Sequence, residues 1–216
     1  MLFRSLAATA ALLLAGITFA QDARKPKLLV ITESKGFVHS VVKRPAPDTF
    51  CTVEKALTKL GQDTGDFEAV CSQDSRKEIT AENLAKYDAV FFYTTGDLPL
   101  SETQKADLLS YVRSGKGFSG SHCATDTFYK WADYGNLIGA YFDGHPWHQK
   151  IKVKVEDGKH AAAAGFESGA EITDEIYQFK DAPYSREKLH IILSVDNSSI
   201  DTEKKGVNRK DKDFAI

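Results

Sequence analysis

Beyond residue 20 the sequence holds no apolar run approaching the roughly 18 residues that a membrane-spanning helix needs, so no helical anchor is expected there. Cysteine is scarce: Cys51, Cys71 and Cys123 are the only three, an odd number that leaves at least one thiol unpaired. That density excludes a small fold stapled by disulfides, and a Cys51–Cys71 bridge is a weaker expectation than two separately buried thiols. Charge of neither sign dominates, with 28 basic against 30 acidic residues. A balance this near zero gives no electrostatic case for nucleic acid or an anionic membrane as partner. The short basic pairs Lys204-Lys205 and Arg209-Lys210 read as solvated surface. Glycine-rich nucleotide loops are missing too. The segment Glu33 to His39 after the first apolar run lacks the Gly-x-Gly-x-x-Gly pattern, and no Walker sequence follows elsewhere, which argues against dinucleotide cofactors and nucleotide hydrolysis.

What the chain has at its start is a basic Arg4, an apolar stretch from Leu6 to Ile17, and Thr18-Phe19-Ala20 before Gln21. This is the pattern of an export signal, so residues 1–20 are expected to be removed and the mature protein to be periplasmic or secreted, with no membrane contact after cleavage. The remaining chain, about 195 residues, fits one domain with a sizeable core.

Hydrophobic patterning divides that domain into two halves. Lys27 to Thr32, Phe67 to Cys71, Asp88 to Thr94 and Lys116 to Ser121 read as strands; the third, apolar throughout its centre, is expected to be buried on both faces. Pro45 to Leu60 reads as a helix stopped by Gly61, and Thr80 to Lys86 as a short one. Ser101 and Gln104 have capping-box spacing at the head of a helix ended by Gly115. Strands alternating with helices imply right-handed crossovers and a mostly parallel sheet. In the second half, Gln149 to Glu156 alternates Ile151, Val153 and Val155 with Lys150, Lys152 and Lys154, the pattern of a half-exposed strand at an edge. Glu175 to Phe179 and Leu189 to Val195 complete the strands, and neither a repeat nor a linker divides the chain.

In such a sheet, sites form where strands end and loops converge. His39 follows the first strand, His122 ends the Gly-rich strand, and His145 and His148 flank Pro146-Trp147. Asp126 lies four residues after His122, and Asp174 and Glu175 open a later strand. Neutral imidazole serves equally as zinc ligand and as proton carrier near pH 7, and the sequence does not choose between these roles. Gly120-Ser-His-Cys-Ala124 loosely matches a strand-to-helix nucleophile elbow whose tip is His122, not Cys123, so Cys123 is expected to be a small buried residue.

Five segments together carry a family resemblance: Leu28 to Thr32 with Gly36-Phe-Val-His-Ser40, Tyr93-Thr-Thr-Gly96, Gly115 to Asp126, Gly139 to His148, and Asp174 to Phe179. In this order they resemble the ThuA-like (trehalose-utilisation) family, across residues 27 to about 200, essentially the whole mature chain. The resemblance implies an α/β, flavodoxin-like three-layer sandwich with a mostly parallel sheet, of the class I glutamine amidotransferase-like kind. It places His122 where the amidotransferases carry their nucleophile, which argues against glutamine hydrolysis, and it implies a disaccharide or oxidised (3-keto) sugar as substrate. Two departures stand out. His160-Ala161 replaces the usual His-Pro, and the sequence ends at Ile216 without the family's final helix and strand, so a truncated domain and an uncovered apolar edge near Leu189 to Val195 are expected.

Two functional classes follow. One is a carbohydrate-active enzyme, a hydrolase, lyase or isomerase, with His122 as base, Glu175 or Asp126 orienting an imidazole, and His39, His145, His148 and Trp147 lining the sugar pocket. No motif demands a cofactor; a divalent metal such as zinc, held by His39, His122 and His148, is the one group these residues suggest. The other class is a sugar-binding or accessory module without catalysis, with Trp131, Tyr134, Tyr141, Phe142 and Trp147 stacking on sugar faces.

Overall fold

The computed structural model describes residues 24–216, so the export signal expected over residues 1–20 lies outside the described residues. Four short strands, β1 (Lys27–Ile31), β2 (Glu68–Ser72), β3 (Ala89–Phe92) and β4 (Gly117–Gly120), form one sheet in the order β2-β1-β3-β4, and every pairing is parallel. Helices make the crossovers: α1 (Thr52–Thr64) between β1 and β2, α2 (Ser75–Glu78) and α3 (Ala81–Leu84) between β2 and β3, and α4 (Glu102–Arg113) between β3 and β4. Alternate residues Leu29, Ile31, Val90 and Phe92 face one way, into a core closed by Leu84, Leu108, Tyr111 and Tyr134. On the other face α1 packs on β2. There Val30 is buried, but Ala89 and Phe91 are only half-buried, so β3 is less enclosed than its apolar sequence suggests.

Local chemistry explains the helix ends. Ser101 and Gln104 do form a capping box, each side chain meeting the other's backbone N–H. Helix α1 starts later than Pro45 and passes through Gly61 to end at Gly65, whose φ of 78° is the left-handed geometry of a helix stop. Gly61 serves packing instead: a Cβ there would stand 2.5 Å from the Phe67 carbonyl oxygen, so only glycine lets α1 lie this close to the approach to β2.

The second half forms its own three-stranded antiparallel sheet, β6-β5-β7, from β5 (Trp147–Val155), β6 (Glu171–Ile176) and β7 (Leu193–Val195). The lysine-alternating strand β5 is therefore central, not an edge. Its lysines face solvent because the sheet buries one face only, over Trp147, Ile151, Val153, Ile176, Val195 and Phe214. Nor is the outer edge of β7 left uncovered: Val195 N–H donates to the Phe214 carbonyl, and Ile216 N–H to that of Leu193. All three cysteines are free thiols, Cys51 and Cys123 buried and Cys71 partly so. No described helix is long and apolar enough to cross a membrane.

Candidate functional site

The two sheets meet at the C-terminal end of the parallel one. Strand β4 ends at Gly120, and the chain turns through Ser121 into a short 3-10 helix, His122–Asp126. Gly120 is required at that turn, since a Cβ would approach the Ala124 methyl to 2.5 Å. His122 takes φ = 51°, a left-handed conformation uncommon for residues that carry a side chain. Its imidazole is thereby lifted out of the turn, while the next residue, Cys123, is turned inward. Cys123 is 1 % exposed and burial pushes its thiol up to about 12, both of which disfavour a reactive thiolate at neutral pH.

Around His122 the second sheet supplies two partners from alternate positions at the end of β6. The Tyr177 hydroxyl lies 3.0 Å from His122 Nε2, and Glu175 Oε2 lies 3.4 Å from the same nitrogen. The other Glu175 oxygen stands 3.5 Å from His145 Nδ1, so one carboxylate spans two imidazoles. His39 meets His122 edge-on at 4.8 Å between ring centres, and Tyr93 and Phe142 close the ring cluster against His122 and Tyr177. A cleft of about 350 Å³ opens beside these groups, lined by Ser121, His122, Thr125, Asp174, Glu175 and Tyr177 with Ile138, Ile176 and Phe179 as apolar wall.

Electrostatics favour an uncharged His122. Burial depresses its pKa, the His39 imidazole acts in the same direction, and the Glu175 carboxylate opposes both. Tyr177 moves the other way: burial, with the nearby acidic groups, raises its pKa far above the ordinary phenol value, so its hydroxyl stays protonated. The site thus pairs a neutral imidazole with a phenolic O–H donor and a carboxylate.

His39, His122, His145 and Glu175 come together. Trp147 and Asp126 do not join them. Trp147 is fully buried in the core of the second sheet, its ring edge-on to Phe214 and its N–H bonded to the Asp201 carbonyl, so it cannot line a sugar pocket. Of the remaining aromatics considered for stacking, Tyr134 and Tyr141 are buried and Trp131 packs against the same core, whereas Phe142 reaches the site. The Asp126 carboxylate accepts the Tyr129 hydroxyl at 2.6 Å instead of an imidazole N–H. His148 lies opposite Glu175 in the β5–β6 pairing but is exposed. The set His39, His122 and His148 is not assembled, and among the described residues no three His, Cys, Asp or Glu side chains could hold a metal ion. Tyr177 is the member missed from sequence; its signal was the two-residue spacing from Glu175, which puts both side chains on one side of an extended chain.

Comparison with known proteins bears on the family and the fold. The family model described as ThuA, trehalose utilisation, matches residues 27–213. A solved structure described as ThuA-like, from Bacteroides uniformis ATCC 8492, superposes with a TM-score of 0.68 at 20 % identity, over 90 % of this chain and 78 % of that one. A second, from Parabacteroides merdae ATCC 43184, gives 0.62 at 16 % identity over 80 % and 68 %. At these identities the likeness is one of fold. No curated protein is similar enough to add to it.

Proposed function

The chain belongs to the ThuA family of trehalose utilisation, and on that premise we propose that it processes a disaccharide or keto-sugar derivative by proton transfer at His122. The observation that carries this is the His122 imidazole itself, forced into the cleft by a positive φ and kept neutral by burial. A carbonyl on a sugar ring acidifies the adjacent C–H, and a neutral imidazole within reach removes that proton, a contribution typically worth about 10²–10⁴ in rate. Glu175, 3.4 Å from Nε2, stabilises the imidazolium so formed. The Tyr177 hydroxyl donates a hydrogen bond to the oxygen on which negative charge develops. The enolate then either takes the proton back from the His122 imidazolium on the neighbouring carbon, an isomerisation, or expels the sugar oxygen on the β carbon, which leaves with that proton and gives an enone, a lyase step that addition of water to the enone completes as hydrolysis.

The test is turnover of 3-keto-trehalose by the wild type and by His122→Ala, with circular dichroism confirming the fold. Loss of turnover in a folded variant is expected. Unchanged turnover removes His122 from the mechanism, and binding without product in the wild type establishes a sugar-binding module in place of an enzyme. From the export pattern over residues 1–20 we further propose that the protein acts in the periplasm or outside the cell; amino-terminal sequencing of the protein recovered from those fractions should begin at Gln21.

A further inference from the structure

Phe37 is 68 % exposed, more than any other large apolar side chain among the described residues. An exposed apolar side chain standing alone needs no explanation, but this one is neither alone nor loosely held. Its ring packs edge-on against His39 at 4.8 Å, and His39 packs in turn against His122 at 4.8 Å, so a row of three rings runs from solvent to the reactive imidazole. The backbone beneath is pinned to the end of β3. Lys35 N–H donates to the Thr95 carbonyl, Gly36 N–H to the Thr95 hydroxyl, and that hydroxyl donates at 2.7 Å to the Phe37 carbonyl. Thr95 is itself fully buried. Gly96, with φ = 73°, has no room for a side chain: a Cβ would stand 2.5 Å from Gly36 N. The loop is thus built to hold a phenyl ring in water at a fixed place beside the site.

We propose that Phe37 is the stacking platform for the second ring of the substrate, the saccharide unit that does not react, and that the site is thereby selective for disaccharides over monosaccharides. This rests on the reading of His122 as the reactive centre. The C–H bonds on one face of a pyranose carry partial positive charge and match the negative face of an aromatic ring, while the hydroxyls at the rim remain in water. The proposal requires the second ring to extend past His39 to Phe37, a ring that a monosaccharide reacting at His122 lacks. Of the aromatics expected to stack from sequence, Trp147, Tyr134 and Tyr141 are buried in cores and Phe142 packs on Tyr177 beside the reactive imidazole, whereas Phe37 stands exposed farther out along the ring row.

The experiment compares 3-keto-trehalose with 3-keto-glucose, as the ratio of their kcat/KM values, in the wild type, Phe37→Ala and Phe37→Trp, with calorimetric titration of trehalose and glucose alongside. The disaccharide preference should fall about fivefold in Phe37→Ala, chiefly through KM, and return in Phe37→Trp, the change expected from one aromatic contact. A wild type with no disaccharide preference, a ratio unmoved in Phe37→Ala, or a tryptophan variant as poor as the alanine one overturns the platform. His122→Ala separates the two ideas. If it abolishes turnover while Phe37→Ala leaves the ratio unchanged, only the platform fails; if turnover survives it while Phe37→Ala loses the preference, only the base assignment fails.

Discussion

The Tyr177 hydroxyl reaches His122 Nε2 at 3.0 Å from the far side of a junction: His122 follows the last strand of the parallel sheet and Tyr177 follows the outer strand of the antiparallel one. The site therefore exists only while the two sheets are docked, and each brings a different chemical function, the base from one and the proton donor from the other. Tyr177→Phe keeps the ring packing against Phe142 and His122 and removes only the hydroxyl. It is expected to cut kcat by about 10²-fold, the usual cost of losing one donor to a developing oxyanion, with the melting temperature nearly unchanged. An undiminished kcat would show that the phenol is packing alone.

The depressed pKa of His122 has a sign that can be measured. Burial and His39 lower it and Glu175 raises it, so replacing that carboxylate should lower it further. In Glu175→Gln the His122 imidazole should titrate at lower pH than in the wild type, followed by nuclear magnetic resonance of the ring. The acid limb of kcat/KM should move the same way while its plateau falls, because the imidazolium formed during reaction loses its partner. An upward shift would mean that Glu175 does not act on His122 as a charge.

How much of this was legible in the sequence depends on what each residue's chemistry could express locally. The capping box of Ser101 and Gln104 and the glycine-rich run into His122 act within a few residues, and both appear where the pattern puts them. Strand β5 was legible as a strand, since period-two alternation says which face is wet, but not as a central one, because alternation says nothing of what lies beside it. Strand β6 starts at Glu171, earlier than expected, since its first four residues, Glu-Ile-Thr-Asp, are mostly polar and pair through their backbones. Trp147 shows the limit plainly: an indole suits a sugar face and a core equally, and only its register on β5 turns it inward against Phe214. Asp126 likewise had the right spacing for His122, yet the Tyr129 hydroxyl three residues on takes its carboxylate.

A buried ion pair away from the chemistry contributes to the acid sensitivity of the fold. Glu54 is fully buried; burial alone would raise its pKa, but hydrogen bonds from Arg44, the Cys51 N–H and the Thr32 hydroxyl outweigh that and hold it below the ordinary value. A carboxyl depressed in the fold stabilises it above the unfolded pKa, near about 4.3, and loses that contribution as pH falls through the folded value. Glu54→Ala should strand the Arg44 guanidinium and cost about 3–5 kcal/mol in denaturant unfolding. It should also flatten the acid end of the stability curve below about pH 4.5, where the wild type declines. A loss under about 1 kcal/mol would place the pair among those that contribute little.

The central claim is that His122 takes a proton from carbon, and exchange with solvent measures that without reference to which product follows. Wild-type protein incubated with 3-keto-trehalose in deuterium oxide should place deuterium on the carbon beside the carbonyl, seen as loss of its proton signal, faster than the buffer does. His122→Ala, still folded, should leave that signal at the buffer rate. Wild-type exchange no faster than buffer, or exchange that persists in His122→Ala, would contradict the account.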